Sequence, residues 1–596
     1  MRLGSAVVKR DARIFRKRPS PRQSSRRSSG SSSDAEHVAS NSFGGRRRGL
    51  RPVAGVLARS RPCDRRGVGV ISDLRAAGAP ADIAGDVCVV GTGPAGLTLA
   101  IELAGKGRRV VLLEAGGEGY EADTQELCKG AVKSGGHIDI ADSRLRQFGG
   151  TSGHWTGLCA PLDPVDFEPR SGSPHHGWPI RRADLDPFYL RAQSYLDLGP
   201  SRYGWTDLVS VGAPLPLDPA RVETVIHQQS PPTRYAEKFL ETARAAAKID
   251  CWLHANLVDL TLADGSDRVE NVTVATLDGV RTRVTAKAFV IACGAIENAR
   301  ILLNARSQRP AGIGNEHGVV GRYFTDHMTI LTSLVLLNEG VDAKIYCEPF
   351  SVDGANLELA LRLHPDVIKR EGLNNNHAFL NARYDDALYS DDFRNYGWTS
   401  FAAMLKAFSH GRAPDRLAER YCDVMDDVGG VTTGVYRHVM RRFRPPDQPR
   451  AFAFRQDAEQ APNPDSRVTL AEEKDRLGLN RATLDWRIAA DDFLKLRRTH
   501  ELIGAAIGAA GLGRIRLEIP EKPEPGLAYS GYHHMGTTRM HADPTKGVVD
   551  ADCRVHSVKN LYMAGSSVFT TGGASHPTLT IVALAIRLAD HLAATA

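Results

Sequence analysis

Four short apolar runs, far apart in the chain, determine the predicted architecture. Runs of this length are typical of strands that are buried on both faces of a parallel sheet. The runs are Val87–Val90, Val110–Leu113, Ala288–Ala292 and Leu561–Ala564. The first and third lead through glycine into helical spacing of apolar residues, and a last helix is predicted over residues 577–593. Strands and helices of this kind predict a doubly wound, Rossmann-like α/β domain that is assembled from distant segments.

The long stretches between these runs predict a second domain inserted into the first. Two segments within these stretches, "EQAPNPDSRVTL" and "GLNRATLDWRI", have strand-like patterns. We predict that residues 79–325 form the first part of the doubly wound domain. Residues 326–527 are predicted to form an inserted α+β substrate domain with a mostly antiparallel sheet. Residues 528–596 then complete the first domain.

The first 78 residues differ in composition from the rest. Segments such as "RKRPSPRQSSRRSSGSSSD" are rich in arginine and serine and cannot bury a core, so residues 1–78 are predicted to be a disordered basic leader. An organelle transit peptide or a start assigned too far upstream are the alternatives. Residues 1–70 carry a net charge of +14 and the remainder carries −7. That mildly acidic remainder gives no support for a nucleic-acid groove.

The spacing of the cysteines and the length of the apolar runs argue against several kinds of protein. The nine cysteines are scattered and none is spaced C-x-x-C, so zinc ribbons, thioredoxin-like centres and haem attachment lack support, and no metal site is predicted. The odd number favours reduced thiols in a cytoplasmic protein over a disulfide framework. No run of about 18 apolar residues occurs, so we predict no membrane span.

A glycine-rich turn follows the first predicted strand. Gly91, Gly93 and Gly96 give G-x-G-x-x-G, and Glu114 ends the next strand 23 residues after Gly91. The first glycine permits a tight turn, the second lets a pyrophosphate approach the backbone, and the third lets the helix pack closely on the strand. A carboxylate at the position of Glu114 can hold ribose hydroxyls. The motif predicts a dinucleotide but does not separate NAD from FAD.

Two adjacent histidines, His533 and His534, precede a Gly-Thr turn in "GYHHMGTTRM". Adjacent residues of an extended segment point to opposite sides. At most one of the two is therefore expected to face a given pocket, unless a bulge intervenes.

Six motifs in order resemble the glucose–methanol–choline (GMC) oxidoreductases, from about Asp86 to the C-terminus. They are "GTGPAG…LLEAGG", "QFGGTSGHWTG", "VIACGAIENARILLNA", "GRYFTDHM", "EQAPNPDSRVTL" and the C-terminal "YHHMGTTRM…GASHPTLTIVALAIRLADHL". The resemblance implies an FAD-dependent enzyme that oxidises a CH–OH group, and the details are most similar to the sugar-oxidising branch. It also implies that residues 79–325 and 528–596 form the FAD-binding domain.

The resemblance assigns the acid–base chemistry to two C-terminal histidines. The family's H-x-x-G-T spacing selects His533 as the base that takes the hydroxyl proton while flavin N5 takes the hydride. His576, before Pro577, matches the second active-site position and is expected to hydrogen-bond the substrate hydroxyl. Imidazole suits the task because its pKa lies near neutrality. By alternation His534 is then expected to face away and to be structural.

Further FAD contacts are implied by the same resemblance. Pro577 and Thr578 begin the last helix, whose N-terminus is expected to stabilise negative charge on the flavin. The other expected contacts are Ala95, Val258, Gly565 and Ser566. His154, in "GGTSGHW", falls where some members carry a histidine bonded to the flavin; here either a covalent bond or simple packing beside the flavin remains open.

Two other functions compete with alcohol oxidation. One is a non-redox, hydroxynitrile-lyase-like enzyme with structural FAD, and the other is a non-catalytic flavin-binding protein, against which the two histidines argue. The expected partner is a small alcohol or sugar, with a separate electron acceptor (oxygen, a quinone or a cytochrome) that the sequence does not identify.

Overall fold

The computed structural model describes residues 70–133, 139–205, 212–383, 396–409, 417–443, 451–522 and 527–595. The chain divides into two compact units, Met1–Asp64 and Arg65–Ala596, and every described residue belongs to the second. Disorder of residues 1–69 lies outside the described residues and stays a prediction. The predicted end of the leader at residue 78 is wrong, because Val70–Asp73 already forms a strand of the central sheet.

Twenty-two strands and twelve α-helices are described. The strands are β1 (Val70–Asp73), β2 (Asp82–Ala84), β3 (Val87–Val90), β4 (Val110–Leu113), β5 (Gly130–Val132), β6 (Leu158–Cys159), β7 (Val222–Gln229), β8 (Ile249–Leu253), β9 (Asn256–Leu262), β10 (Val269–Ala275), β11 (Arg281–Thr285), β12 (Ala288–Ile291), β13 (Met328–Leu337), β14 (Phe350–Val352), β15 (Ala355–Leu363), β16 (His377–Arg383), β17 (Ala451–Ala458), β18 (Arg467–Lys474), β19 (Asn480–Asp485), β20 (Gly513–Arg516), β21 (Tyr529–Ser530) and β22 (Leu561–Met563). The helices are α1 (Pro94–Gly105), α2 (Ala122–Gln125), α3 (Pro164–Phe167), α4 (Asp186–Tyr195), α5 (Tyr235–Ala245), α6 (Ala295–Asn304), α7 (Pro365–Glu371), α8 (Tyr396–Ser409), α9 (Leu417–Asp426), α10 (Val428–Phe443), α11 (Ala490–Ala509) and α12 (Thr578–Thr595).

A six-stranded parallel sheet in the order β1-β8-β4-β3-β12-β22 forms the centre of the doubly wound domain. The four apolar runs are its strands β4, β3, β12 and β22, and every residue of these strands is buried. They read as continuous apolar runs because helices cover both faces of a parallel sheet. The sequence prediction of a doubly wound sheet built from distant segments is confirmed.

A nine-stranded sheet lies beside this domain, with the order β20-β13-β17-β16-β15-β7-β6 and with β14 and β21 at its margins. All its pairings are antiparallel, as predicted. One face is apolar and packs its leucines and phenylalanines against Ile503, Ala506 and Ile507 of α11. The other face carries polar side chains and is called the polar sheet face below.

Two details of the predicted domain division are wrong. Strands β6 and β7 belong to the nine-stranded sheet although they precede residue 326, so the first part of the chain also contributes to the second domain. Conversely, β18 and β19, which contain the strand-like motifs, pair with β5 in a separate three-stranded sheet. Local patterns identified these strands but not their partners, because pairing between distant segments leaves no local signal.

Within the described residues, α12 is the one helix that is long and apolar enough to cross a membrane. However, 56% of it is buried inside the protein. It packs against α1 and α4. Its burial is that of a core helix in the doubly wound domain and gives no support to a membrane span.

Gly96 provides a direct test of the helix–strand contact that opens the domain. A Cβ atom at Gly96 would lie 1.9 Å from the carbonyl oxygen of Gly91, whereas a Cβ at Gly105 of the same helix would meet nothing within 4 Å. Overpacking of this kind costs about 1–3 kcal/mol. We expect Gly96→Ala to lower the free energy of unfolding by about that amount, measured by denaturant titration, and Gly105→Ala to leave it unchanged or slightly raised. Equal effects of the two substitutions would contradict this account of α1 packing.

Candidate active site

A cavity of about 360 Å³ lies at the carboxyl ends of β3, β4 and β12. This edge is where open α/β sheets bind ligands. All the predicted site residues except Gly96 and Val258 line it: Gly91, Gly93, Ala95, Glu114, His154, His533, Gly565, Ser566, His576, Pro577 and Thr578. The structure therefore brings together segments that are more than 400 residues apart in the chain.

The N-termini of two helices border this cavity. Gly93 caps α1 and Pro94 is its first residue, while Thr578 begins α12 as predicted. The first N–H groups of a helix have no partner within the helix and carry partial positive charge, which suits phosphate at α1 and negative charge at α12. A Cβ at Gly93 would meet nothing within 4 Å, so the backbone there is open to a bound group.

Glu114 is buried in the cavity wall. Its Oε1 accepts the N–H of Gly116 at 2.9 Å and its Oε2 accepts the N–H of Thr92 at 3.1 Å. Burial raises the pKa of Glu114, although these hydrogen bonds oppose the increase. The carboxylate is thus held in a fixed orientation at the end of β4, as expected for a ribose-binding group.

Two predicted cofactor contacts lie elsewhere. Gly96 packs on Gly91 and does not line the cavity. This is the close helix–strand packing that the motif predicted for its third glycine. Val258 is not in the cavity wall, but Leu257 and Ala255 are. Val258 directly follows Leu257 on β9, and its contact with FAD stays a prediction.

The sequence did not identify Arg146 as a cavity residue. Arg146 contacts Glu297 (Nη1 to Oε1, 3.4 Å) and Asn256 (Nη2 to Oδ1, 3.2 Å), and its buried Nε has no partner among the described residues. Together with Glu114 and the open backbone at Gly93, it gives the donors and acceptors that a dinucleotide requires. The residues present fit FAD: the N–H groups at the start of α1 would hold its phosphates, and the start of α12 would face its flavin.

Three histidines meet at the α12 end of the cavity. The rings of His533 and His576 have centroids 4.5 Å apart, and the His327 ring lies 5.0 Å from that of His533. His327 is fully buried, His576 is nearly so, and His533 is half-buried. His533 and His576 were predicted from the sequence, but His327 was not.

The hydrogen bonds of His327 fix the proton positions in this cluster. Its Nε2 lies 2.8 Å from the carbonyl oxygen of Gly573, which only accepts, so Nε2 carries the proton. Burial lowers the pKa of His327, so the ring is neutral and its Nδ1 is an acceptor. The Nδ1–H of His533, 2.9 Å away, must then donate to it. Nε2 of His533 is left with a free lone pair.

Two buried carboxylates hold the two predicted histidines. Nε2 of His576 donates to Asp457 Oδ2 at 2.8 Å, and Asp326 Oδ1 accepts the backbone N–H of His533 at 2.8 Å. Burial works to raise the pKa of Asp457, but the hydrogen bond and positive charge of His576 hold it well below its usual range. Burial raises the pKa of Asp326 to about 7. Asp457 therefore provides a fixed negative charge beside His576.

His534 also lies at the cavity wall, and its ring packs against Phe324 at 5.6 Å between ring centroids. Phe324 is fully buried and is not part of the cavity wall. A structural role for His534, facing away from the pocket of His533, therefore stays a prediction. The His534 carbonyl accepts a hydrogen bond from Ser566 at 2.6 Å, which joins the histidine segment to Gly565-Ser566.

His154 follows a 3₁₀ turn over Gly150–Gly153 and lies in the cavity wall. Trp155 anchors this loop through a hydrogen bond from its Nε1 to the Thr233 carbonyl at 2.8 Å. His154 is exposed to the cavity rather than packed in the core. The position is compatible with either mode of contact with FAD.

Glu459 and Gln460, which begin the motif "EQAPNPDSRVTL", are buried and hold neighbouring segments in place. Glu459 is fully buried, pairs with Arg170 and accepts the Gly573 N–H at 3.1 Å. Gln460 accepts a hydrogen bond from Trp486 at 2.8 Å. Glu459 thus supports the same glycine whose carbonyl fixes His327.

Comparison with known proteins gives two family matches. Residues 86–323 match the FAD binding domain model and residues 462–585 match the GMC oxidoreductase model.

Curated relatives align over most of the chain. Paromamine 6'-oxidase of Streptomyces fradiae is 26% identical over 85% of this chain and 91% of its own length. 2-Methyl-1,2-propanediol dehydrogenase of Mycolicibacterium austroafricanum is 24% identical over 85% and 95%. The large subunit of fructose dehydrogenase from Gluconobacter japonicus is 25% identical over 55% and 51%. The chain is an FAD-dependent oxidoreductase that acts on the CH–OH group of an alcohol or sugar, and its residues 462–585 match the GMC oxidoreductase family.

Proposed function

We propose that His533 is the catalytic base and that His576 positions the substrate hydroxyl, in an enzyme that oxidises a sugar or glycoside. The observation that carries this proposal is the free lone pair on Nε2 of His533, next to His576 at the flavin end of the cavity. A base must present an unprotonated atom to the hydroxyl that it deprotonates. The hydrogen bonds of His327 leave that atom on His533.

FAD, when bound, supplies the acceptor for the hydride that leaves the substrate carbon. Nε2 of His533 takes the hydroxyl proton, and the resulting positive charge is shared with His327 through the Nδ1 contact. His576, with its Nε2 directed to Asp457, keeps Nδ1 as its remaining polar atom for the substrate oxygen. The negative charge of Asp457 stabilises the histidine pair once it has gained the proton.

The matched relatives support a polyhydroxylated substrate. They include a paromamine 6'-oxidase, a 2-methyl-1,2-propanediol dehydrogenase and the large subunit of a fructose dehydrogenase. These names give the lyase alternative no support. We propose that the substrate is a sugar or glycoside. Oxygen, a quinone and a cytochrome are the candidate electron acceptors. The eight cysteines of the described part are all free thiols, which supports the proposal of a cytoplasmic protein.

The two possible contacts of His154 are separable by one measurement. If His154 is bonded to the flavin, acid-precipitated protein keeps a fluorescent band in a denaturing gel, and His154→Ala removes it. If the flavin only packs beside His154, the flavin is released into the supernatant.

The base assignment is tested by His533→Ala. A positioned base contributes about 10²–10⁴-fold, so flavin reduction by sugar under anaerobic conditions is expected to slow by that factor at neutral pH. Stopped-flow absorbance measures the rate, and the flavin spectrum shows that the cofactor is retained. His317→Ala, at an exposed histidine, is the matched control and should leave the rate unchanged. A His533→Ala enzyme that reduces its flavin at the original rate would overturn the assignment.

The pH dependence of the same rate follows from the environment of His533. Burial, together with the positive charges that His576 and His327 can carry, holds the pKa of His533 well below 6.5. A base with a lowered pKa stays unprotonated as the pH falls through 6.5. We therefore expect kcat/KM for flavin reduction to be constant between pH 6.5 and 8 and to fall only at lower pH. An acid limb centred above pH 6.5 would contradict this environment.

A further inference from the structure

An ion pair between Arg455 and Glu358 lies on the polar sheet face. Arg455 is on β17 and Glu358 is on β15, and Nη2 of Arg455 donates to Oε1 of Glu358 across the intervening strand β16. The guanidinium lies 4.3 Å from the ring centroid of Phe379 on β16, which supports it from below. The pair has no part in the fold of the FAD-binding domain.

This pair lies on the same face of the sheet as Asp457, the carboxylate that holds His576. Arg455 precedes Asp457 by two residues on β17, so both side chains lie on one face, about 7 Å apart along the strand. Asp457 reaches His576 directly. Phe379 also belongs to one small apolar cluster with Leu158, which lines the cavity. Arg455 and Glu358 therefore lie on the sheet face next to Asp457, beyond the residues that line the cavity.

The pair is open to solvent and is not saturated with partners. The side chains of Arg455 and Glu358 are 31% and 19% exposed, and neither makes another side-chain hydrogen bond to the described residues. Guanidinium keeps four further N–H donors, and the carboxylate keeps a second oxygen acceptor. A half-buried donor fork next to a half-buried acceptor, each with unused hydrogen-bonding capacity, is a binding element for a group that both donates and accepts.

Building on the proposed function, we propose that Arg455 and Glu358 form a recognition site for a vicinal pair of substrate hydroxyls, remote from the carbon that is oxidised. One hydroxyl oxygen accepts from Arg455 and the neighbouring hydroxyl donates to Glu358. A neutral diol satisfies both groups, whereas an ammonium group would be repelled by Arg455. The pair selects polyhydroxylated substrates over simple alcohols that carry the same reacting group.

The test compares two kinds of substrate in the FAD-loaded enzyme. Anaerobic flavin reduction is measured with whichever of D-glucose, D-fructose and methyl α-D-glucopyranoside reacts fastest, and with cyclohexanol and cyclohexylmethanol. The last two have reacting groups of the same type but no remote hydroxyls. A hydrogen bond to a charged group is worth about 1.5–3 kcal/mol, or about tenfold to hundredfold in rate. Arg455→Met and Glu358→Gln are expected to lower kcat/KM for the sugar by that factor, through KM, and to leave the simple alcohols unchanged.

Two further variants sharpen the result. Arg455→Lys keeps the charge but loses the fork, so an intermediate loss is expected. Arg283→Met removes an exposed arginine that pairs with Asp82 in a different sheet, and it should change neither rate.

The possible failures are distinct. Equal loss on both substrate kinds, or no loss on the sugar, overturns the recognition site while the proposed function stands. Failure of every sugar and alcohol to bleach the flavin of the unaltered enzyme overturns the proposed function and the recognition site together.

Discussion

A peptide carbonyl accepts hydrogen bonds but cannot donate them, and this constraint at Gly573 determines the chemistry of the histidine cluster. It places the proton of His327 on Nε2, and burial keeps that ring neutral. The proton of His533 is then confined to Nδ1. His327, which has no role in contacting the substrate, thus determines which nitrogen of His533 is basic. Without that constraint, either tautomer of His533 would be available and the base would be correctly oriented only part of the time.

Gly573 is itself held by a buried charged network. Its N–H donates to Glu459, whose other oxygen pairs with Arg170, and Arg170 also contacts Asp166 at 3.0 Å. A Cβ at Gly573 would lie 2.4 Å from Asp166 Oδ2, so only glycine fits beside the network. Buried ion pairs contribute little net stability because desolvation offsets their attraction. Here their use is geometric, since they fix the segment that aims its carbonyl at His327.

The sequence predicted the elements whose signals are local. The apolar runs, the glycine turn and the last helix appear where expected, because a buried strand and a phosphate-type turn depend on consecutive residues. Which strands pair with each other was harder to predict from the sequence, as β6, β7, β18 and β19 show. Which residues of β9 and of the His533-His534 pair face the cavity depends on the exact local backbone of each segment, which the sequence pattern does not determine. His327 stood in a quoted motif, "TDHM", and Asp457 in the alternating "AFAFRQDA", but nothing local shows that these side chains meet the C-terminal histidines.

The central sheet joins the beginning and the end of the chain. Strand β22 pairs with β12, which pairs with β3, and α12 packs on α1, yet β22 follows β3 by more than 450 residues. At about 5–20 residues per second, a ribosome needs roughly half a minute or more to make the intervening chain. During synthesis the glycine turn is therefore present long before the helix that closes the other end of the cofactor cavity. The cofactor cavity is therefore complete only after the C-terminal segment has been made, and a chain that ended before β22 would leave β12 without its partner at the sheet edge.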